Sequence, residues 1–498
     1  MTLPDALGSA AALRPTFPRP ARTTVQALLA TAALAMFTSL CIVAGGVLIR
    51  FGLAFAIAIL LSTLALTRPA DGVIATFIYL VLEEFLRRVL ISVAPWTSVD
   101  PLLLVAPVVA LVLLVKLFVL DGRPIAPGAL SKLVVVVLLF TVAEVANPTA
   151  AGGVGSGIAG LMFMAVPLLW FFVGREVLSR RDVDRLLVTV VGLGAIVACY
   201  GLWQIQVGEP SWDANWLNAT GGYTALNVGD IVRPFGPFAS SSEYALFLGA
   251  ALVICISFAL RGRLIAMLPM PLLAVGLFLA SARGALVTAA FAIVVLVGLR
   301  TGRPLPAIVV TLVAVGVAFV GVHFAGSSLS NSSSSSGALV SHEINGITDP
   351  LDPNSSTLLV HVQLVISGLK SGVHHPLGQG TAVTNGAAGT ISGSVNQNSQ
   401  ATEVDISNAF VALGILGGAL YALLVIAVLI LAALEVFAGQ IALISVLALL
   451  LVDLGQWAIG GDYALAPLAW LMVGVVAACR ADGIARRADG VARAGLPA

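Results

Sequence analysis

Fourteen stretches of this 498-residue chain are apolar and nearly free of charge, near residues 25–46, 51–67, 72–94, 101–120, 132–147, 156–174, 186–206, 243–260, 264–281, 284–300, 305–324, 407–433, 440–460 and 463–479. A helix needs about 20 such residues to cross the hydrocarbon core of a bilayer. Only 10% of the residues are charged and 59% are hydrophobic, whereas a soluble domain carries about 25% charged residues. A soluble core cannot take in that excess, because surface-to-volume scaling leaves too much of the chain wet. The expectation is an all-α, polytopic membrane protein with about 12–14 transmembrane helices. The run at 72–94 is the least regular. Glu83, Glu84, Arg87 and Arg88 interrupt it as two i,i+4 pairs, which also suits an amphipathic helix at the interface.

Arginine placement sets the expected orientation. Arg14, Arg19 and Arg22 precede the first run, and Arg175, Arg180, Arg181 and Arg185 surround the connection near 175–185. Arg261 and Arg263 follow 260, Arg300 and Arg303 follow 300, and Arg480, Arg486, Arg487 and Arg493 close the chain. With fourteen spans all of these fall on one side, which the positive-inside rule makes the cytoplasm. The expected layout is a cytoplasmic tail (1–24), a first group of helices (25–206), a core (207–433), a last pair of helices (434–479) and a second cytoplasmic tail (480–498). The N-terminus reads as a start-transfer helix of a bacterial inner-membrane protein and not as a cleaved signal. A net charge of +1 gives no reason to expect nucleic acid as a partner. The four cysteines lack CxxC spacing and read as small buried hydrophobes.

Two long polar segments, 207–242 and 325–406, fall on the opposite, extracytoplasmic side. Function concentrates on loops of this length, so the chemistry is expected there. Ser327–Gly337 reads as flexible, Ser356–Leu369 has the spacing of a helix lying on the membrane surface, and His374–Gly380 makes a tight Pro/Gly turn. Arg233 and Arg283 stand on the side where the positive-inside bias does not put arginines. Each either snorkels to lipid headgroups or clamps a pyrophosphate, for which a planar, permanently charged fork is suited. Lys370 adds a third cation for the same role. Arg50 also falls on this side, with nothing polar near it in sequence. Asp405 and Glu403 are candidate bases for an acceptor hydroxyl, with solvated loop carboxylates as the plainer reading. His375, beside His374, is a third candidate or a turn stabiliser, and no histidine spacing suits zinc.

Four segments carry a family resemblance: "RPFGPFASSSEYALFL", "LASARGALV", "GLKSGVHHPLGQG" and "DISNAFVALGILGGALYALL". In that order, between Arg233 and Leu424, they resemble the O-antigen ligase and O-antigen polymerase-like family of bacterial membrane glycosyltransferases. The resemblance implies a fold like that of the lipid-dependent C-type glycosyltransferases. It also implies glycan transfer from undecaprenyl pyrophosphate on the extracytoplasmic face, without metal or other cofactor, with Arg233 and Arg283 on the pyrophosphate. The acceptor would be a growing glycan in a polymerase, the leading expectation, or a lipid or protein in a ligase. Membrane lipids and other polysaccharide-assembly proteins are the further partners implied. The histidine that the family's ligases carry ahead of the Gly-Ile-x-Gly is replaced here, where Glu403 and Val404 stand. A secondary transporter or lipid-linked-glycan flippase is the alternative of another class. It would be expected to carry ionisable residues near mid-bilayer or repeated halves.

Overall fold

The computed structural model of the chain describes residues 46–97, 100–125, 128–147, 153–220, 227–228, 231–301, 335–348, 351, 358–385, 402, 404–458 and 463–494. The apolar runs at 25–46 and 305–324 and most of the Ser-rich stretch lie outside these residues. The protein is all-α apart from one short antiparallel pair. In chain order the helices are α1 (Gly46–Thr67), α2 (Pro69–Val89), α3 (Pro101–Leu120), α4 (Ala129–Ala146), α5 (Gly153–Val177), α6 (Arg180–Val207) and α7 (Ser211–Thr220). A pair of two-residue strands, β1 (Asn227–Val228) and β2 (Ile231–Val232), precedes α8 (Ser241–Leu260), α9 (Leu264–Leu279) and α10 (Arg283–Thr301). There follow α11 (Ser335–Thr348), α12 (Leu358–His374), α13 (Asp405–Phe437), α14 (Leu443–Val452) and α15 (Leu465–Ala494).

Among the described residues eight helices are long and apolar enough to cross a membrane: α1, α3, α4, α5, α6, α8, α10 and α13. Helices α9, α14 and the first part of α15 are apolar but shorter. Local chemistry explains where several begin. Ser179 and Asp182 form a reciprocal capping box at the start of α6. Asp100 accepts from Leu102 N (3.0 Å), with Pro101 at the first position of α3. Ser240 Oγ accepts from Glu243 N (3.1 Å) to open α8.

The two ends of the bundle differ. At one end, arginines of different helices pair with acids across helix boundaries: Arg123 with Glu176 (2.8 Å), Arg185 with Asp71 (2.7 Å), Arg261 and Arg263 with Asp184 (2.8 and 2.9 Å), and Arg480 with Glu435 (2.9 Å). Arg180 reaches Gln440 (2.6 Å) and Arg300 donates to Leu260 O (3.2 Å), which ties α6, α8, α10 and the α13–α14 turn to this same end. The other end holds α7, the strand pair, α11, α12 and the Pro/Gly turn.

Helix α13 is broken at Gly414, whose φ of +70° is left-handed. The break frees the carbonyls of Val411 and Ala412, and the turn after α12 takes them up. Gln379 N donates to Val411 O (3.0 Å), Gly380 N to Ala412 O (3.1 Å), and Ile415 N to Pro376 O (3.3 Å). A Cβ at Gly414 would stand 2.1 Å from Pro376 O, so this close approach admits only glycine. Asn147 at the end of α4 donates to Leu377 O (3.1 Å) and Gly378 O (3.2 Å), and Thr381 Oγ1 to Gly157 O (2.9 Å). Non-helical backbone enters the bundle here with its polar groups paired by protein, the condition under which membrane proteins tolerate it. Helix α12 rests on α13 through Gly368 and Gly372, against Ser407 and Phe410. Its Leu359, Val362, Ile366, Leu369 and Val373 stay exposed, an arc suited to lipid.

Candidate anion-binding site

Arg233 and Arg283 converge at the loop end. Arg233 follows β2, and its Nη1 donates to Ser281 O at 2.7 Å. Ser281 is the one non-glycine residue with positive φ (+52°) among the described residues, a costly conformation that turns its carbonyl toward Arg233. Two residues on, Arg283 opens α10. Its Nη2 donates to His342 O (2.9 Å), and its Nε stands 3.5 Å from Glu343 Oε2. Both residues belong to α11, which docks through Leu339 and Val340 on Ile205 of α6 and Leu279 of α9. The guanidinium of Arg283 lies flat on Gly346, where an added Cβ would meet Cζ at 1.7 Å.

Glu343 is fully buried and sits within the field of both arginines. Burial pushes its carboxyl up to about 7, against the opposing pull of Arg283 and then Arg233. Burial, with the two arginines adding to it, lowers the pKa of the neighbouring His342 imidazole. With Glu343 ionised, the cluster carries two positive charges and one negative. It can therefore hold an anion richer in charge than a single carboxylate.

A second cluster fixes the segment that carries Arg233. Glu83, Glu84, Arg87 and Arg88 of α2 are all buried against the rest of the protein, and α2 is not among the eight helices long and apolar enough to cross a membrane. Arg88 Nη1 lies 3.1 Å from Asp213 Oδ1 of α7, and Arg88 Nη2 donates to Gly236 O (2.8 Å). Tyr200 Oη (2.7 Å) and Gln204 Nε2 (2.8 Å) donate to Asp213 Oδ2, while Gln204 Oε1 accepts from Phe235 N (3.2 Å) and Gly236 N (2.9 Å). Trp216 and Phe235 stand 5.2 and 4.9 Å from the Arg88 guanidinium carbon. Arg87 pairs with Glu84 and Asp100 and lies over Trp96. Arg50, expected to have no polar surroundings, donates instead to Asp100 Oδ2 and to the carbonyls of Pro95 (3.1 Å) and Ala94 (3.0 Å). Its partners are distant in sequence, which is why a local reading missed them.

The other candidates lie apart from the arginine pair. Asp405 is buried: its Oδ2 accepts from Ala458 N (2.6 Å) and Tyr421 Oη (3.1 Å), and its own N donates to Gly455 O (2.6 Å). That placement anchors the start of α13 and corrects the expectation of an accessible base. His375 and Lys370 are exposed, on the Pro/Gly turn and on α12, and contact neither arginine. His375 N donates to Ser371 O (2.8 Å), so its backbone continues the last turn of α12. Glu403 lies outside the described residues.

Beside the buried charge cluster, α1, α3, α5 and α15 enclose a recess of about 180 Å³. Phe51, Pro107, Phe163, Val166 and Pro467 give it apolar walls, and Asp100 and Tyr463 mark its polar end. Among the described residues no group of three or more histidine, cysteine or acidic side chains could hold a metal ion. Glu343 and Gly346 escaped the sequence reading, while Ser281, inside the "LASARGALV" segment, and His342, in the second long loop, were given no role by it. The signal for them was faint: a His-Glu pair and a glycine behind a Ser-rich run. The chain matches no protein-family model, and comparisons with curated proteins and with solved structures returned no match.

Proposed function

We propose that the chain is a membrane glycosyltransferase of the bacterial inner membrane that transfers glycan from undecaprenyl pyrophosphate at the loop end of the bundle, joining polysaccharide repeat units. The observation that carries this reading is that Arg233, bonded to Ser281 O, and Arg283, two residues on and 3.5 Å from buried Glu343, lie close enough for both to act on that one carboxyl. Two guanidinium forks on rigid supports suit a pyrophosphate leaving group, whose growing charge in the transition state needs preorganised cations. The acceptor is a sugar hydroxyl, which needs at most one weak base. The arginine-rich opposite end fits the cytoplasm under the positive-inside rule, which turns the site outward. The apolar recess and the exposed arc of α12 suit a substrate with a hydrocarbon chain. A ligase that passes a finished glycan to a lipid or protein differs only in its acceptor.

The test is to reconstitute the protein in lipid with an undecaprenyl-pyrophosphate oligosaccharide and separate the products on a gel. A ladder of lengthening glycans in the wild type, lost in Arg233→Ala and Arg283→Ala, is the expected result. A single product on an added acceptor would identify a ligase. No consumption of donor would sink the enzyme reading. One observation favours the transporter or flippase alternative, namely the buried charges of α2, since intramembrane ionisable residues often mark transport paths. A flux assay on the same proteoliposomes separates the two.

A further inference from the structure

Glu343 is a buried carboxylate with neither oxygen in a hydrogen bond, although an ionised carboxylate has room for several. Among the described residues its cation partner is Arg283 Nε at 3.5 Å, a long contact that is at most a weak hydrogen bond. Among the described residues, Arg283 in turn is held to α11 by the His342 carbonyl, the Glu343 charge and the seat on Gly346. When ionised, Glu343 therefore offsets one of the two positive charges of the arginine pair without being bound tightly to it. We propose that Glu343 is a built-in counter-anion that an entering diphosphate displaces from Arg283, so that this residue sets how much negative charge a ligand needs in order to bind. The inference rests on the reading of the arginine pair as a diphosphate site.

The electrostatics decide which ligands can enter. A monoanion that replaces Glu343 exchanges one charge for another and gains little. A diphosphate brings a larger charge and enough oxygens to meet both guanidiniums at once, so it outcompetes the carboxylate. A mere scaffolding role for Glu343 would predict more contacts than it has. Buried carboxylates that anchor structure look like Asp405, which accepts two hydrogen bonds on one oxygen.

The experiment measures binding of two probes, geranyl diphosphate and geranyl monophosphate, to the full chain in lipid nanodiscs by calorimetry. The proteins are the wild type, Glu343→Gln, Glu343→Asp, Arg233→Ala and Arg283→Ala. Glu343→Gln is expected to bind both probes more tightly, the monophosphate by on the order of tenfold and the diphosphate by less, so that the preference for diphosphate shrinks. Glu343→Asp withdraws the charge by one methylene and should move the ratio the same way by a smaller factor. It carries the test if the Gln variant does not fold. An unchanged ratio in the Glu343 variants, with binding lost in the arginine variants, overturns the counter-anion and leaves the diphosphate site standing. Arginine variants that bind like the wild type, or absence of binding throughout, would overturn both.

Discussion

The contact between Arg88 and Asp213 offers the sharpest test of the buried scaffold. Both side chains are fully excluded from solvent, and their charged atoms approach to 3.1 Å. Removing one partner of such a pair costs about 3–5 kcal/mol, because the other is left as an uncompensated buried charge. Arg88→Met strands Asp213, although Tyr200 and Gln204 still donate to it. It also loses the 2.8 Å bond to Gly236 O, for a total of about 4 kcal/mol. Asp213→Asn strands Arg88 among Trp216, Phe235 and the Glu84 carbonyl, at a cost of about 3 kcal/mol. The double variant carries neither orphan charge. Its cost should be about 3 kcal/mol against a sum of about 7, a coupling of about 4 kcal/mol. Unfolding free energies in mixed micelles measure all three. If the two single costs add within about 0.5 kcal/mol, the residues act independently and the argument is wrong. A second readout follows from position. Arg88 holds Gly236, three residues from Arg233, so Arg88→Met should also weaken geranyl-diphosphate binding without touching the ligand.

Three further outcomes are expected. Gly346→Ala places a Cβ 1.7 Å from Arg283 Cζ and must drive the guanidinium off its seat, so diphosphate affinity should fall about tenfold or more while the melting temperature barely moves. Gly414→Ala meets both a positive φ and Pro376 O at 2.1 Å, so hydrogen exchange should rise across 376–380, and unchanged exchange there would refute the docked turn. The Glu343 carboxyl is raised in the fold from its ordinary 4.5 to about 7, so its protonated form favours folding. Wild-type stability relative to Glu343→Gln should therefore be greatest below pH about 4.5, fall as the pH rises to about 7, and stay flat above, as read by melting temperatures across that range.

Eight of the fourteen expected spans stand as long apolar helices, legible because lipid allows a backbone few solutions and an apolar run of helical length has one. Arg233 and Arg283 were legible because they broke a charge rule that their neighbours obeyed. The charges of α2 were legible only in part. Their spacing foretold the local pairing of Arg87 with Glu83 and Glu84, whereas Asp100 and Asp213, the further partners of Arg87 and Arg88, come from elsewhere in the chain. Asp405 misled: lying just ahead of a span suggested exposure, but Tyr421 and Ala458 close over it. Glu343 gave no local signal, since its importance comes from α11 docking on α6 and α9, which brings it beside Arg283.

The two clusters at the loop end bear differently on the choice between enzyme and transporter. In alternating access one part of the bundle rocks against another, so charges that line the moving contact must part or re-pair. The α2 charges are poorly placed for that. Arg87 is tied to Glu84 and Asp100, and Arg88 to Asp213 and Gly236, so opening either set would strand a dehydrated charge. The same bonds fix Phe235 and Gly236 through Gln204, and with them the approach of Arg233 to Ser281. A rigid charged scaffold that aims a cation is what electrostatic preorganisation demands, and flexibility there would cost rate. Glu343 differs: it is buried, unbonded at both oxygens and held by one helix that rests on a small apolar contact with α6 and α9. The part built to change partners is thus the counter-anion at the arginine pair, where a substrate would arrive, and the buried charges of α2 serve to keep that pair in place.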